Sequence, residues 1–342
     1  MQTLFQVINA LPREQWDYYF GIDEYNQINN PFSQASPNHS GFIESYFKRG
    51  GKVNLFEKSG IDVNDLRLPN HINSVFFLGI LFFYQTNIHT KYDRGTNHLG
   101  YQNFPFIWFL IALFHDNAYA MEAKDKLTNI NTLEDLKAHF DIEYDLFAKK
   151  IGSKCGHLLQ SRKNYFNYRK KHFKVIDHGL LGGMLLYDKL IKVRRAKKKE
   201  NEHTLFWGRR LEHHYKQAAD AISLHNIYIA QKRYEALYEK YELQELISCP
   251  EVKLSDFPLF YLLGIIDTLD PLKTFNYSEY SDAYILDSLL IQFEPWSVQI
   301  SLKPGSDLDF QKLIKQTTNF PGWLEVRIEL APNSLKIAFN GK

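Results

Sequence analysis

FPFIWFLIALFHD, residues Phe104 to Asp116, is an apolar run that ends in a histidine and an aspartate. Proline at 105 suits the first turn of a helix, where its missing N–H costs nothing. Apolar residues all round that helix predict burial on every side rather than along one stripe. The 11 residues from Phe104 to Phe114 fall well short of the roughly 20 needed to cross a bilayer. The run therefore reads as the central helix of a mainly α domain with no membrane partner. An ionised carboxylate beside such a helix is expensive unless it is paired or bound to a cation. His115 and Asp116 are accordingly the first candidate metal ligands.

Outward from this run the same combination recurs. HINSVFFLGILFFYQ (71–85) follows Pro69 and Asn70, a helix start signal, and reads as a second buried helix with His71 in its first turn. FPLFYLLGIIDTL (257–269) begins with Pro258, stays apolar until Asp267 and is closed by Asp270 and Pro271. VIDHGLLGGMLLYDKLI (175–191) reads as a helix with His178 near its start. Gly182 and Gly183 inside it cost roughly 1 kcal/mol each relative to alanine, a loss that close approach of another helix or a ligand would offset. A long helix over about 211–241 carries His213, His214 and His225, and puts His214, Ala218, Ala221 and His225 on one face. A polar insertion at 86–103 holds His89 and His98, both rivals to His71 as a ligand.

A length of 342 residues argues for about two domains, and a 44% apolar content supports a substantial core. The net charge of +2 gives no global field toward nucleic acid or an acidic membrane. Positive charge is local. Residues 162–174 interleave Arg162, Lys163, Arg169, Lys170, Lys171 and Lys174 with Tyr165, Phe166, Tyr168 and Phe173, a combination suited to single strands. The charged run 192–210 reads as an exposed loop or as an arm steering an anionic substrate. Two distant cysteines exclude a disulfide scaffold or cysteine-rich zinc site and fit a cytoplasmic protein. The N-terminus lacks the long apolar core of a signal peptide. Residues 1–67 read as a partly helical lead-in and 68–288 as a helical body. In 289–342 a period of two takes over, predicting a small α+β appendage of β-α-β-β order.

Collected in order, His71, His115, Asp116, His178, His225 and Asp267 all lie on helices otherwise read as buried. Imidazole and carboxylate without thiolate suit Mn, Fe, Ni, Zn or Mg. Over roughly 68–275 the chain resembles the HD-domain superfamily of metal-dependent phosphohydrolases. The matching pieces are HINSV (71–75), LFHD (113–116), HGLLGG (178–183), AISLHN (221–226) and GIIDTLD (264–270). The resemblance implies an HD-domain helical bundle in which His71, His115, Asp116 and Asp267 hold one divalent ion. His178 and His225, with Asp116 bridging, hold a second. It also implies that metal-activated water attacks a phosphate ester of a nucleotide or other small phosphorylated substrate, with Asp116 bridging the ions or orienting that water.

His214, on the face shared with His225, is a candidate proton donor or substrate contact. The lysine that the family often carries after the HD pair is missing from HDNAYAMEAK (115–124), leaving Lys124 as the nearest catalytic cation. Lys174, Arg209 and Arg210 are further candidates for substrate charge. A nuclease acting on single strands falls inside the same class. Two other activities stay open: an HD-type di-iron oxygenase, and a nucleotide-binding regulatory protein with little turnover.

Overall fold

The computed structural model describes residues 1–21, 27–49, 68–92, 103–119, 127, 129–148, 156–199, 210–227, 235–248, 250–275 and 280–339. His98, Lys124, Arg209, Cys155 and Cys249 lie outside the described residues, as does the side chain of Arg210. In chain order, the elements used below begin with β1 (Gln2–Thr3), α1 (Leu4–Asn9), α2 (His39–Lys48), α3 (Pro69–Gln85) and α4 (Asn103–Phe114). They continue with α5 (Gly156–Tyr168), α6 (His178–Lys199), α7 (Arg210–Leu224), α8 (Pro258–Leu269) and α9 (Pro271–Thr274). The last are β2 (Leu289–Glu294), β3 (Ser297–Leu302), α10 (Phe310–Gln316), β4 (Val326–Ala331) and β5 (Ser334–Phe339). The protein is mainly helical with a small antiparallel sheet, as the apolar periodicity predicts. Among the described residues, no helix is long and apolar enough to cross a membrane.

The chain divides into two compact units, and the division falls inside α4. The first unit draws on Met1–Gly50, Leu68–Phe109 and Glu251–Lys342; the second is built on Leu110–Pro250. These bounds do not follow the lead-in, body and appendage expected from composition, because the last strands and the first residues pair with one another.

In the first unit α3 packs against α2, α8 and α9. Its start needs no side-chain cap, since Pro69 occupies the first turn. The core there is aromatic: Trp16 meets Phe77 at 5.6 Å, Tyr46 meets Phe109 at 4.3 Å, and Phe76 stands perpendicular to Phe109. Edge-to-face rings of this kind add to the stabilisation from area alone. Trp108 donates its indole N–H to the carbonyls of Val75 and Phe76, both at 3.1 Å.

The sheet runs β1-β2-β3-β5-β4 with every pair antiparallel. The expected β-α-β-β appendage is corrected in two respects. LLIQFE (289–294) is itself a strand, paired with β3 through Ile291 and Ile300, so the C-terminal order is β-β-α-β-β. The sheet also takes in Gln2 and Thr3 from the opposite end of the chain. Three consecutive apolar residues, Leu289 to Ile291, mask the alternation that marks β2.

In the second unit α6 and α7 are the most closely packed helices. Gly183 makes this possible, since a Cβ there would meet the Ala219 carbonyl oxygen at 2.5 Å. The helix expected over 211–241 ends instead at Leu224, where the chain tightens through hydrogen bonds from His225 N to Ile222 O and from Ile227 N to Leu224 O. The described part of the charged run, 192–199, is not a loop but the last turns of α6. Arg194 there is buried and donates to Glu212 at 2.6 Å.

The basic-aromatic stretch is likewise structural for most of its length. Arg162 is buried and paired with Asp220 at 2.7 Å, and Tyr165, Phe166 and Tyr168 are core residues. A stacking platform for single strands needs exposed rings, and this stretch turns three of its four inward.

Candidate metal centre

The unit built on residues 110–250 gathers four of the six suspected ligands. His115 follows the last residue of α4, with its amide still bonded to Ile111 O at 3.0 Å, and Asp116 comes next in a turn closed by Tyr119 N to Asp116 O at 2.9 Å. Asp177, fully buried, accepts Leu180 N at 3.0 Å and so caps the helix whose first residue is His178. His225 sits just past the end of α7. Two of these helix ends are C-termini, whose carbonyls carry partial negative charge and favour a cation.

One ligand atom from each of Asp116, His178 and His225 lies within 4.8 Å of the others. Asp116 Oδ1 is 3.4 Å from His178 Nε2 and 3.8 Å from His115 Nε2. Two donors on a tetrahedral ion with bonds of about 2.1 Å stand about 3.4 Å apart, so the first of these separations fits. The donor protons point the right way as well. His225 Nδ1 lies 2.7 Å from Ile222 O and His115 Nδ1 lies 2.8 Å from Ala112 O. A carbonyl only accepts, so Nδ1 carries the hydrogen in both rings, and Nε2 is the nitrogen left to offer a lone pair to a metal ion. That is how ligating histidines are oriented. The group is able to hold a metal ion. Asp116 keeps 18% of its side chain exposed, which leaves the site open to water.

The other unit brings His71 and Asp267 together. His71 Nε2 is 3.3 Å from Asp267 Oδ1, and His71 Nδ1 is 2.6 Å from Asp270 Oδ2. Asp270 is fully buried, accepts from the Ser74 hydroxyl, and also caps α9 through Lys273 N at 2.9 Å. Lys273 Nζ donates to Asp267 Oδ1 at 2.5 Å. His71 is thus the histidine beside Asp267. His89 is held elsewhere, with Nδ1 bonded to Thr86 O at 2.7 Å.

Burial opposes charge on His71, but hydrogen bonds to Asp267 and Asp270 and the Asp270 charge outweigh it, raising its pKa from 6.5 to about 9. In the metal-free protein, protonated His71 therefore stabilises the fold in full below about pH 6.5, and that contribution is lost as pH rises through about 9. A cation at Nε2 needs the neutral ring, so binding near neutral pH must release this proton. Calorimetric titration with Mn in two buffers of different ionisation enthalpy is expected to show that release, and His71→Asn to remove it.

Of the remaining candidates, His214 lies 11 residues before His225, about 16 Å along the helix axis at 1.5 Å per residue. It is not drawn into the group. Lys174 is exposed on the left-handed residue that follows a π-helical turn and precedes α6. Three partners escape sequence reading: Asp270 behind His71, Asn226 with Nδ2 3.0 Å from His178 Nε2, and Tyr119 with its ring 4.9 Å from His178. The second aspartate of GIIDTLD was the available signal for the first.

No family model matches the chain, and no curated protein or solved structure matches it either.

Proposed function

We propose that this protein is a metal-dependent phosphohydrolase acting on a nucleotide or another small phosphorylated substrate. The observation that carries the reading is the group of Asp116, His178 and His225 at helix ends, with a fixed imidazole tautomer at His225. The HD-type resemblance supplies the reaction class.

A bound divalent ion supplies a water of near-neutral pKa and polarises a phosphoryl oxygen. Asp116, the part-exposed member of the group, would supply the anionic ligand to such an ion and face the solvent from which the water comes. Ile222 O keeps His225 aimed at the ion by accepting its Nδ1 proton. Tyr119, exposed next to His178, offers a flat apolar face to a planar group of the substrate. Lys174, exposed just before α6, offsets phosphate charge.

The test is metal analysis of the purified protein, followed by a phosphate-release screen across nucleotides with Mn, Ni, Co or Mg added. Metal-dependent release is the expected result. Bound iron with oxygen consumption and no phosphate release would turn the reading to an oxygenase. Bound metal with neither activity would leave a regulatory binding protein. Metal content per chain in Asp116→Ala and in Asp267→Ala distinguishes one ion from two.

A further inference from the structure

The sheet ends on β4, and among the described residues no strand pairs with its outer side. The direction of its free backbone groups follows from the register. Pro332 and Asn333 form a two-residue turn closed by the pair Ala331 and Ser334. In a loop this short the closing pair exchanges both backbone hydrogen bonds, and such pairs recur at every second residue. Glu329 and Arg327 therefore direct their N–H and C=O groups at β5, while Ile328 and Leu330 direct theirs outward. The Val326 N–H is taken by Leu324 O at 2.8 Å, and its carbonyl faces out with theirs.

The side chains divide in the same way. Val326, Ile328 and Leu330 lie opposite Phe339, Ile337 and Leu335 of β5, all three of them buried, so this row continues the apolar face of the sheet. Leu330 is nevertheless 53% exposed. Arg327 and Glu329 lie on the other face, level with Ala338 and Lys336. Val326 and Ile328 are half-buried, and an edge whose apolar row is only partly covered is a template for another strand. The opposite edge, β1, is two residues long and offers no such template.

We infer that this edge pairs with the same edge of a second copy of the chain, antiparallel and centred on Ile328. In that register Ile328 faces Ile328, Val326 faces Leu330, and Arg327 faces Glu329 twice over. The hydrogen-bonding parity agrees. Ile328 meets its own copy as a bonded pair, and each Leu330 N–H meets a Val326 carbonyl. The hexapeptide VRIELA thus complements itself in backbone, apolar row and charge at once. A register shifted by two residues places Glu329 against its own copy and loses the charge match. An unrelated strand would have no reason to match Arg327 and Glu329 in that spacing.

The test is sedimentation of the whole protein over a range of concentrations. Wild type is expected to dimerise reversibly. Arg327→Glu and Glu329→Arg are each expected to weaken dimerisation about tenfold or more, because each sets like charges across both symmetric pairs. Mixed in equal amounts, the two variants are expected to pair with each other. One then presents two acidic and the other two basic side chains, and both cross-strand matches return. That recovery also shows that both variants are folded.

On wild type alone, exchange of the Ile328 and Leu330 amides is expected to slow as concentration rises. A wild type that stays monomeric overturns the proposal. So do single variants that dimerise like wild type, or a mixture that does not recover pairing.

Discussion

Asp116→Ala is expected to strip the purified protein of divalent metal and to abolish turnover. Removing only a partner behind a ligand costs about 10–100-fold in metal affinity, and the loss of a charged ligand exceeds that. Asp116 is also the anionic member of its group, facing His178 Nε2 at 3.4 Å and His115 Nε2 at 3.8 Å. Without it the rings of His115, His178 and His225 are left as neutral donors only, and a divalent ion loses the charge that offsets its dehydration. The fold itself should survive. The side chain is part-exposed and closes no core cavity, so the metal-free variant is expected to lose no more than about 1 kcal/mol. Metal content by elemental analysis and melting of the metal-free protein separate the two effects. Asp116→Asn keeps the shape without the charge and should also lose its metal. A variant that kept full metal and activity would be incompatible with the proposed site.

The residues that were legible in sequence were those whose chemistry conflicts with their surroundings. Asp267 in FPLFYLLGIIDTL and His115-Asp116 after FPFIWFLIALF stand out because charge in an apolar helix is expensive. The structure meets that expense with His71, Lys273 and neighbouring imidazoles. Asp270 was hidden because Asp-Pro is also an ordinary helix stop, and here it acts both as the cap of α9 and as the partner of His71.

Arg162 was misleading for a related reason. Within a basic stretch it looks solvated, yet its partner Asp220 is 58 residues away and nothing local reveals the pair. The end of α7 carries no glycine or proline, so periodicity ran on past it. There the fold overrides local preference, turning the chain so that His225 points back with its Nδ1 on Ile222 O.

The glycines of α6 give the second large effect, because they fix how near the helix bearing His178 lies to the one leading into His225. A Cβ at Gly183 would sit 2.5 Å from Ala219 O and 2.9 Å from Ser223 Cβ, where ordinary contact begins at 3.4 Å. The Ala219 carbonyl belongs to the backbone of α7 and cannot rotate away, so the helices must separate by about 0.9 Å (3.4 − 2.5). Such overpacking costs about 1–3 kcal/mol, against about 1 kcal/mol gained from the better helix propensity of alanine. The clash is with backbone and so sits toward the upper end of that cost; Gly183→Ala is expected to lower stability by up to about 2 kcal/mol, and Gly183→Val by more.

Gly179→Ala acts elsewhere. Its Cβ would meet His225 Nδ1 at 2.7 Å, the atom that holds the ring to Ile222 O. Metal affinity is expected to fall about 10–100-fold, as when an orienting partner of a ligand is lost, and stability to fall with it, because the same Cβ would lie 2.9 Å from the backbone oxygen of Ile222. Gly156→Ala is the control, since a Cβ there meets nothing within 4 Å. Denaturant melts and metal titrations on the three variants tell whether closeness of α6 and α7 is what builds the site. Equal affinities in Gly179→Ala and Gly156→Ala would mean that it is not.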